Sequence, residues 1–151
     1  MMREGVPTWE EYYAMLAEVV KTRSKDPSTQ VGAVLVDKDN QIISTGYNDL
    51  PRGAANFPER FTRPEKYDWM VHAEENAIYA AARRGVATEG ATLYMSKDYF
   101  CCHRCAAAVI QAGIKIVYAP RPALDKPSFR FDKSLMSFEE GGVEVNIYPD
   151  T

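Results

Sequence analysis

Histidine is nearly missing from this chain, with only His72 and His103 among 151 residues. Cysteine is almost as scarce, and its three copies, Cys101, Cys102 and Cys105, crowd into the single stretch FCCHRC. A disulfide framework spreads its cysteines so that they close loops, so this odd, clustered set excludes one. It points instead to a metal or thiolate site in a reducing compartment. No apolar run approaches the length of a membrane span. The opening MMREGVPTWEEYY has no apolar stretch after Arg3, unlike a secretory leader, so the expected location is cytoplasmic and off the membrane. A basic excess is also lacking: 18 Lys and Arg face 21 Asp and Glu, a net charge of −3. That balance argues against a grip on polymeric nucleic acid. Arg52, Arg60 and Arg63 form only a local positive stretch, suited to one small anionic ligand.

Repeats, low-complexity tracts and linkers are absent too, so residues 1–151 are expected to form a single domain large enough to bury its own core. What the chain does have is clear local patterning. Thr8 with Glu11 makes a capping box before Tyr12, Leu16, Val19 and Val20 at helical spacing, which predicts a helix over 8–23. VGAVLVD and QIISTGYN, separated by Lys38-Asp39-Asn40, predict a hairpin of strands over 31–37 and 41–48. Residues 49–67 carry three prolines and little periodicity, the pattern of a long functional or self-packed loop. Beyond it come a helix over 72–84, a strand over 91–97, a helix over 102–112 and a strand over 114–120. A helix near 130–140 and a strand over 143–148 complete the chain. This order predicts an α/β protein with one mixed sheet covered by helices on both faces.

Two short motifs carry the chemistry: His72-Ala73-Glu74 opens one helix and Cys102-His103-Arg104-Cys105 opens another. Helix positions three apart share a face, so Cys102 and Cys105 can aim both sulfurs at one metal, and a helix N-terminus favours their thiolate form. Cys101 and Cys105, four apart, can share a face equally well, so spacing leaves Cys101 in contention. A catalytic zinc takes three protein ligands and keeps one position open, which makes His72 the natural third donor. Glu74, at the same helix start, suits a carboxylate that shuttles protons for water at the metal.

H-x-E followed by C-x-x-C is the arrangement of the zinc nucleobase deaminases. The resemblance extends through SKDPSTQVGAVLVD, TGYNDLPRG, HAEENAI and AAAVIQAGIKIVY, in that order. On these motifs, over roughly residues 8 to 120, the chain resembles the deoxycytidylate (dCMP) deaminase family. The resemblance implies a cytidine-deaminase-like fold: a three-layer α/β/α sandwich with a five-stranded mixed sheet. It further implies Zn2+ held by His72, Cys102 and Cys105, with Glu74 as the catalytic proton carrier. Asn48 would contact the sugar, Val31, Gly32 and Ala33 would line the base pocket, Ser96 would lie near the base edge, and Ser24 and Lys25 would face the phosphate. The implied reaction is dCMP to dUMP plus ammonia, by a homo-oligomer with dCTP and dTTP as candidate effectors acting through GYNDLPRG. The chain departs from the family pattern at Cys101, which stands where the family places a proline before C-x-x-C.

Other readings of the same residues are a deaminase of cytidine, dCTP or tRNA adenosine. A non-catalytic zinc knot, with His103 or Cys101 as fourth ligand, is the reading of a different class.

Overall fold

The computed structural model describes residues 1–150 and places them around one five-stranded sheet of order β2-β1-β3-β4-β5. β1 (Gly32–Val36) lies antiparallel to both β2 (Ile42–Tyr47) and β3 (Thr92–Met95). β4 (Ile116–Ala119) and β5 (Glu144–Ile147) then run parallel to β3. Parallel neighbours need a crossover, and α4 (His103–Gln111) and α5 (Phe131–Glu140) supply the two crossovers. The expected five-stranded mixed sheet is therefore present.

Alternation along the central strands separates the two layers of core. Ala33, Leu35, Leu93 and Met95 point to the face covered by α3 (Ala73–Arg84), α4 and α5. Val34, Val36 and Tyr94 point the other way, onto Tyr13 and Ala17 of α1 (Trp9–Lys21). The capping box at Thr8 forms as its sequence requires, with Thr8 and Glu11 each bonding the other's backbone N–H.

Two glycines set how closely helices approach the sheet. A Cβ on Gly46 would fall 2.3 Å from Ala73 O and Ala77 N, so only glycine lets the first turn of α3 sit on β2. Ser44 Oγ then donates to Ala77 O, and Asn76 Nδ2 donates to Tyr47 O, which fixes the helix start against that strand. Gly32 performs the same service for α1, because a Cβ there would meet Ala17 O at 2.1 Å.

The proline-rich loop is more ordered than its sequence suggests. It holds a 3-10 turn, Pro58–Phe61, and a single helical turn, α2 (Lys66–Trp69). Its Arg60 guanidinium lies 3.7 Å from the centre of the Trp69 ring and 4.9 Å from that of Phe57. The loop closes on a bridge between Asp49 and Val71. Among the described residues, no helix is long and apolar enough to cross a membrane.

Candidate metal and catalytic site

Both halves of the site occupy helix caps, one residue outside the helices proper. His72 is the N-cap of α3 and Cys102 the N-cap of α4, each with extended backbone, while Cys105 follows in the first turn of α4. Neither cap residue spends its side chain on the helix's own amides. Both helix starts therefore direct positive dipole ends, and uncommitted donor atoms, at a shared space.

Ligand atoms of His72, Cys102 and Cys105 all lie within 4.8 Å of one another. His72 Nδ1 is 3.1 Å from Cys105 Sγ and 3.4 Å from Cys102 Sγ. Contact with Cys105 and His72 pulls the Cys102 thiol down to about 4, against the opposing effect of burial. The same contact, together with burial, pushes Cys105 up. One thiolate, stabilised by a neighbouring thiol and an imidazole, is a trio that a soft divalent cation would bind by displacing the shared protons. One nitrogen and two sulfurs, with no fourth protein donor in the group, fit a zinc that keeps an open position. Cys101 lies outside the trio: it is fully buried in the core, and its carbonyl accepts from Ser134 Oγ. His103 is exposed, with its ring 3.4 Å from Phe129 O. Neither of the alternative fourth ligands of a zinc knot thus joins the group.

Glu74 is only 4% exposed, and burial raises its carboxyl to about 7, partly offset by the His72 ring. Such a group can both take and release a proton near neutral pH. Its neighbour Glu75 has a different occupation. Arg104 Nη2 donates to Glu75 Oε1 at 2.8 Å and Tyr79 Oη donates to Glu75 Oε2, so one carboxylate ties the first turn of α3 to that of α4.

A cavity of about 100 Å³ opens beside these residues. His72, Glu74 and Cys102 line its floor, with Met95 and Phe100, while Tyr99, Phe129 and Phe131 close one side. Asp26, Thr29, Val31, Asn48, Lys66 and Met70 form further walls, and Arg63 and Tyr67, the exposed lining residues, mark the rim.

The expected pocket residues divide. Val31 and Asn48 line the cavity. Asn48 is buried and already engaged: Nδ2 donates to Thr29 O and Oδ1 accepts from Val31 N. One amide hydrogen remains for a ligand. Gly32, Ala33 and Ser96 do not line the cavity. Ser96 is fully buried, and its Oγ accepts from Gly32 N, joining the ends of β1 and β3. Ala33 faces the helix layer and is fully buried beneath it. Ser24 and Lys25, expected to face the phosphate, do not line this cavity either. Ser24 Oγ donates to Asn48 O, and Lys25 pairs with Asp49 at 3.2 Å on a second cavity.

Sequence reasoning missed a buried ion pair in the wall. Lys66 Nζ lies 3.0 Å from Asp26 Oδ2 and 3.1 Å from Ser28 Oγ, with both charged side chains almost fully buried. Asp26 also accepts from the amides of Ser28 and Thr29. Phe129 and Phe131 were missed as well. They arrive from beyond β4, and their only signal is an aromatic cluster in a segment without periodicity.

A mixed sheet that carries a histidine and two cysteines between two helix starts, beside a buried glutamate, defines the class of the zinc-dependent deaminases. Comparison with known proteins narrows the class. The "Cytidine and deoxycytidylate deaminase zinc-binding region" matches residues 7–120. The chain is 40% identical over 147 residues to an "uncharacterized deaminase in luxG 3'region" of Aliivibrio fischeri, covering 95% of this chain and 96% of that one. It is 38% identical over 121 residues to the deoxycytidylate deaminase of Homo sapiens, covering 76% of this chain and 66% of the human one. A crystal structure of the dCMP deaminase of the cyanophage S-TIM5, in complex with dCMP and dUMP, superposes with a TM-score of 0.74. It is 26% identical and covers 98% of this chain and all of that one. The chain belongs to the cytidine and deoxycytidylate deaminase family.

Proposed function

We propose that this chain catalyses the hydrolytic deamination of dCMP to dUMP and ammonia, with His72, Cys102 and Cys105 holding zinc and Glu74 moving the protons. The observation that carries the reading is Glu74 itself, a carboxylate buried at the floor of a cavity against the three-donor trio. The names of the human and cyanophage relatives support dCMP as the substrate. Zinc in such a site supplies Lewis acidity that lowers the pKa of water to about 7.

This chain's own residues do the rest. Glu74 takes the proton of the attacking water and delivers it to the ring nitrogen beside the amine-bearing carbon. The carboxylate then takes the proton of the new hydroxyl on that carbon and passes it to the amine, so that the carbon–nitrogen bond breaks, ammonia leaves and a carbonyl remains. Burial favours this exchange, because a carboxyl poised near 7 is neither a poor acceptor nor a poor donor at neutral pH. Met95, Phe100 and Phe131 give the floor apolar walls that exclude bulk water from the proton path. Asn48, held by Thr29 and Val31, offers its remaining amide hydrogen to the sugar.

Ammonia release from dCMP, dCTP, cytidine and cytosine tests the reading, with Glu74→Gln as control. Turnover is expected with dCMP. Zinc retained without turnover of any of the four would leave a binding module in place of an enzyme.

Regulation and assembly belong to the same proposal. The second cavity, of about 290 Å³, is lined by most of the GYNDLPRG stretch with Lys25 and Arg83, and Arg52 and Arg83 suit a triphosphate effector. Saturation curves for dCMP are expected to shift with dCTP and dTTP; hyperbolic curves unchanged by either exclude this. Tyr79, half-exposed on α3, suits packing between subunits of a homo-oligomer, which sedimentation checks. Three free thiols support a reducing, cytoplasmic setting.

A further inference from the structure

We infer that Arg63, steered by Tyr67, reads the 5′-phosphate of the substrate and makes the site selective for a nucleotide over a nucleoside. The inference rests on the dCMP reading above and adds the residue that decides the phosphorylation state.

A census of charge around the mouth of the catalytic cavity carries it. A phosphate monoester brings about −1.5 to −2 charges at neutral pH and needs a cation that is not already neutralised. Lys66 reaches the cavity, but its charge is taken by Asp26, and Ser28 Oγ fills a second of its donor positions. Lys25, in the loop that the family resemblance placed on the phosphate side, lines the other cavity and pairs with Asp49. Arg52 also lines that second cavity. Arg60 lies over the rings of Phe57 and Trp69. Arg130 lies 3.5 Å from Asp132.

Arg63 differs from all of these. It lines the catalytic cavity, its side chain is exposed, and among the described residues no carboxylate pairs with it. Its one hydrogen bond is Nε to Tyr67 Oη, at 2.8 Å. That bond uses the donor on the chain side of the guanidinium and leaves both terminal nitrogens free, the edge that grips two phosphate oxygens at once. Tyr67 lines the same rim, so the bond limits how far the guanidinium can swing from the mouth. With Glu74, His72 and Cys102 at the floor and Arg63 at the rim, the cavity separates reacting chemistry from anion recognition.

Steady-state kinetics on the zinc-loaded enzyme, with dCMP and deoxycytidine as paired substrates, tests the assignment. Arg63→Ala is expected to raise KM for dCMP about 10- to 100-fold, the loss of one charge-assisted hydrogen-bonded contact, with much less effect on kcat. The preference for dCMP over deoxycytidine, as the ratio of kcat/KM values, falls by the same factor. Arg63→Lys recovers part of it, because a point charge replaces the fork, and Tyr67→Phe loses a smaller part. Direct titration with dUMP and deoxyuridine should show the same loss of discrimination in affinity. An unchanged KM for dCMP in Arg63→Ala overturns the inference while leaving the deaminase reading intact. Equal losses on both substrates overturn it too, since they would mark a structural role. A fall in the ratio with Lys25→Ala, and none with Arg63→Ala, returns the phosphate to the other loop. A wild type that turns over neither substrate and binds neither ligand sinks the dCMP reading and this one together.

Discussion

The floor and the rim of the catalytic cavity are built by opposite means. The floor stands on helix starts seated against the sheet: His72 caps α3, Cys102 caps α4, and Gly46 allows α3 to approach β2 to contact distance. Its side chains are buried, and its spacing repeats in the sequence as H-x-E and C-x-x-C. The walls and rim are made of loops, residues 26–31, the 48–71 segment and the stretch around Phe129. They are held by pairs distant in sequence, Asp26 with Lys66 and Asn48 with Val31 and Thr29. The difference teaches where each kind of specificity resides. In the proposed reaction the chemistry is assigned to the floor, and substrate choice to the walls and rim, where loop geometry can change without moving the metal donors.

Breaking the floor should have the largest effect. Glu74→Gln removes the proposed proton carrier without changing shape, and turnover of dCMP is expected to fall about 100- to 10,000-fold while bound zinc stays stoichiometric by elemental analysis. Loss of zinc in this variant would mean that Glu74 helps hold the metal.

Breaking the walls should cost stability before chemistry. Lys66→Met leaves the Asp26 carboxylate buried without its cation, and urea denaturation should show a loss of about 3 kcal/mol. Asp26→Asn combined with Lys66→Met should recover part of that loss, because no unpaired charge remains. A double variant as unstable as the sum of the singles would deny the pairing.

A smaller effect is expected where the two helix starts are tied together. Arg104→Ala leaves Glu75 buried with only Tyr79 as partner, but the Arg104 side chain is 61% exposed, so solvent screens the pair. The stability loss should be about 1 kcal/mol or less. Zinc should nevertheless transfer to a chromogenic chelator faster than from the wild type, since the tie spans the two ligand-bearing turns. Equal transfer rates would confine this ion pair to the surface.

The smallest effect is a titration. Burial works to raise the Asp26 carboxyl, but the Ser28 amide, Lys66 and the Thr29 amide outweigh it and hold the group below its ordinary 3.8. A lowered carboxyl contributes stability that is complete above its unfolded value and is lost as pH falls through the folded one. Acid unfolding of the wild type should therefore retain this contribution down to about pH 4 and lose it below. Asp26→Asn should flatten that part of the curve.

Much of the fold was legible in local pattern. The capping box at Thr8, the β-branched run of β1, and Gly85 closing α3 with a φ of 66° each act within a few residues, so the sequence carries them whole. The metal trio was legible for a related reason: helix caps impose short spacings, and each half of the site is one such cap. Cys101, which spacing alone kept as a ligand candidate, is as buried as Cys105 and is set apart by position, outside the donor group and with its carbonyl held by Ser134 of α5. The pocket wall was legible only in part. Val31 and Asn48 reach it, whereas Gly32, Ala33, Ser96, Ser24 and Lys25 serve the framework or the second cavity.

By itself, then, the sequence determined the main helices, the strands and the metal donors, and it placed Glu74 at the same helix start, because each depends on neighbours within a turn or a pleat. Only the tertiary structure decided which cation lines the cavity without a carboxylate partner among the described residues. Lys25, Lys66 and Arg63 are alike in charge on paper, and they are told apart by which carboxylate lies within 4 Å across the fold. That selection depends on distance in space, where the dielectric is low and a single partner cancels a charge.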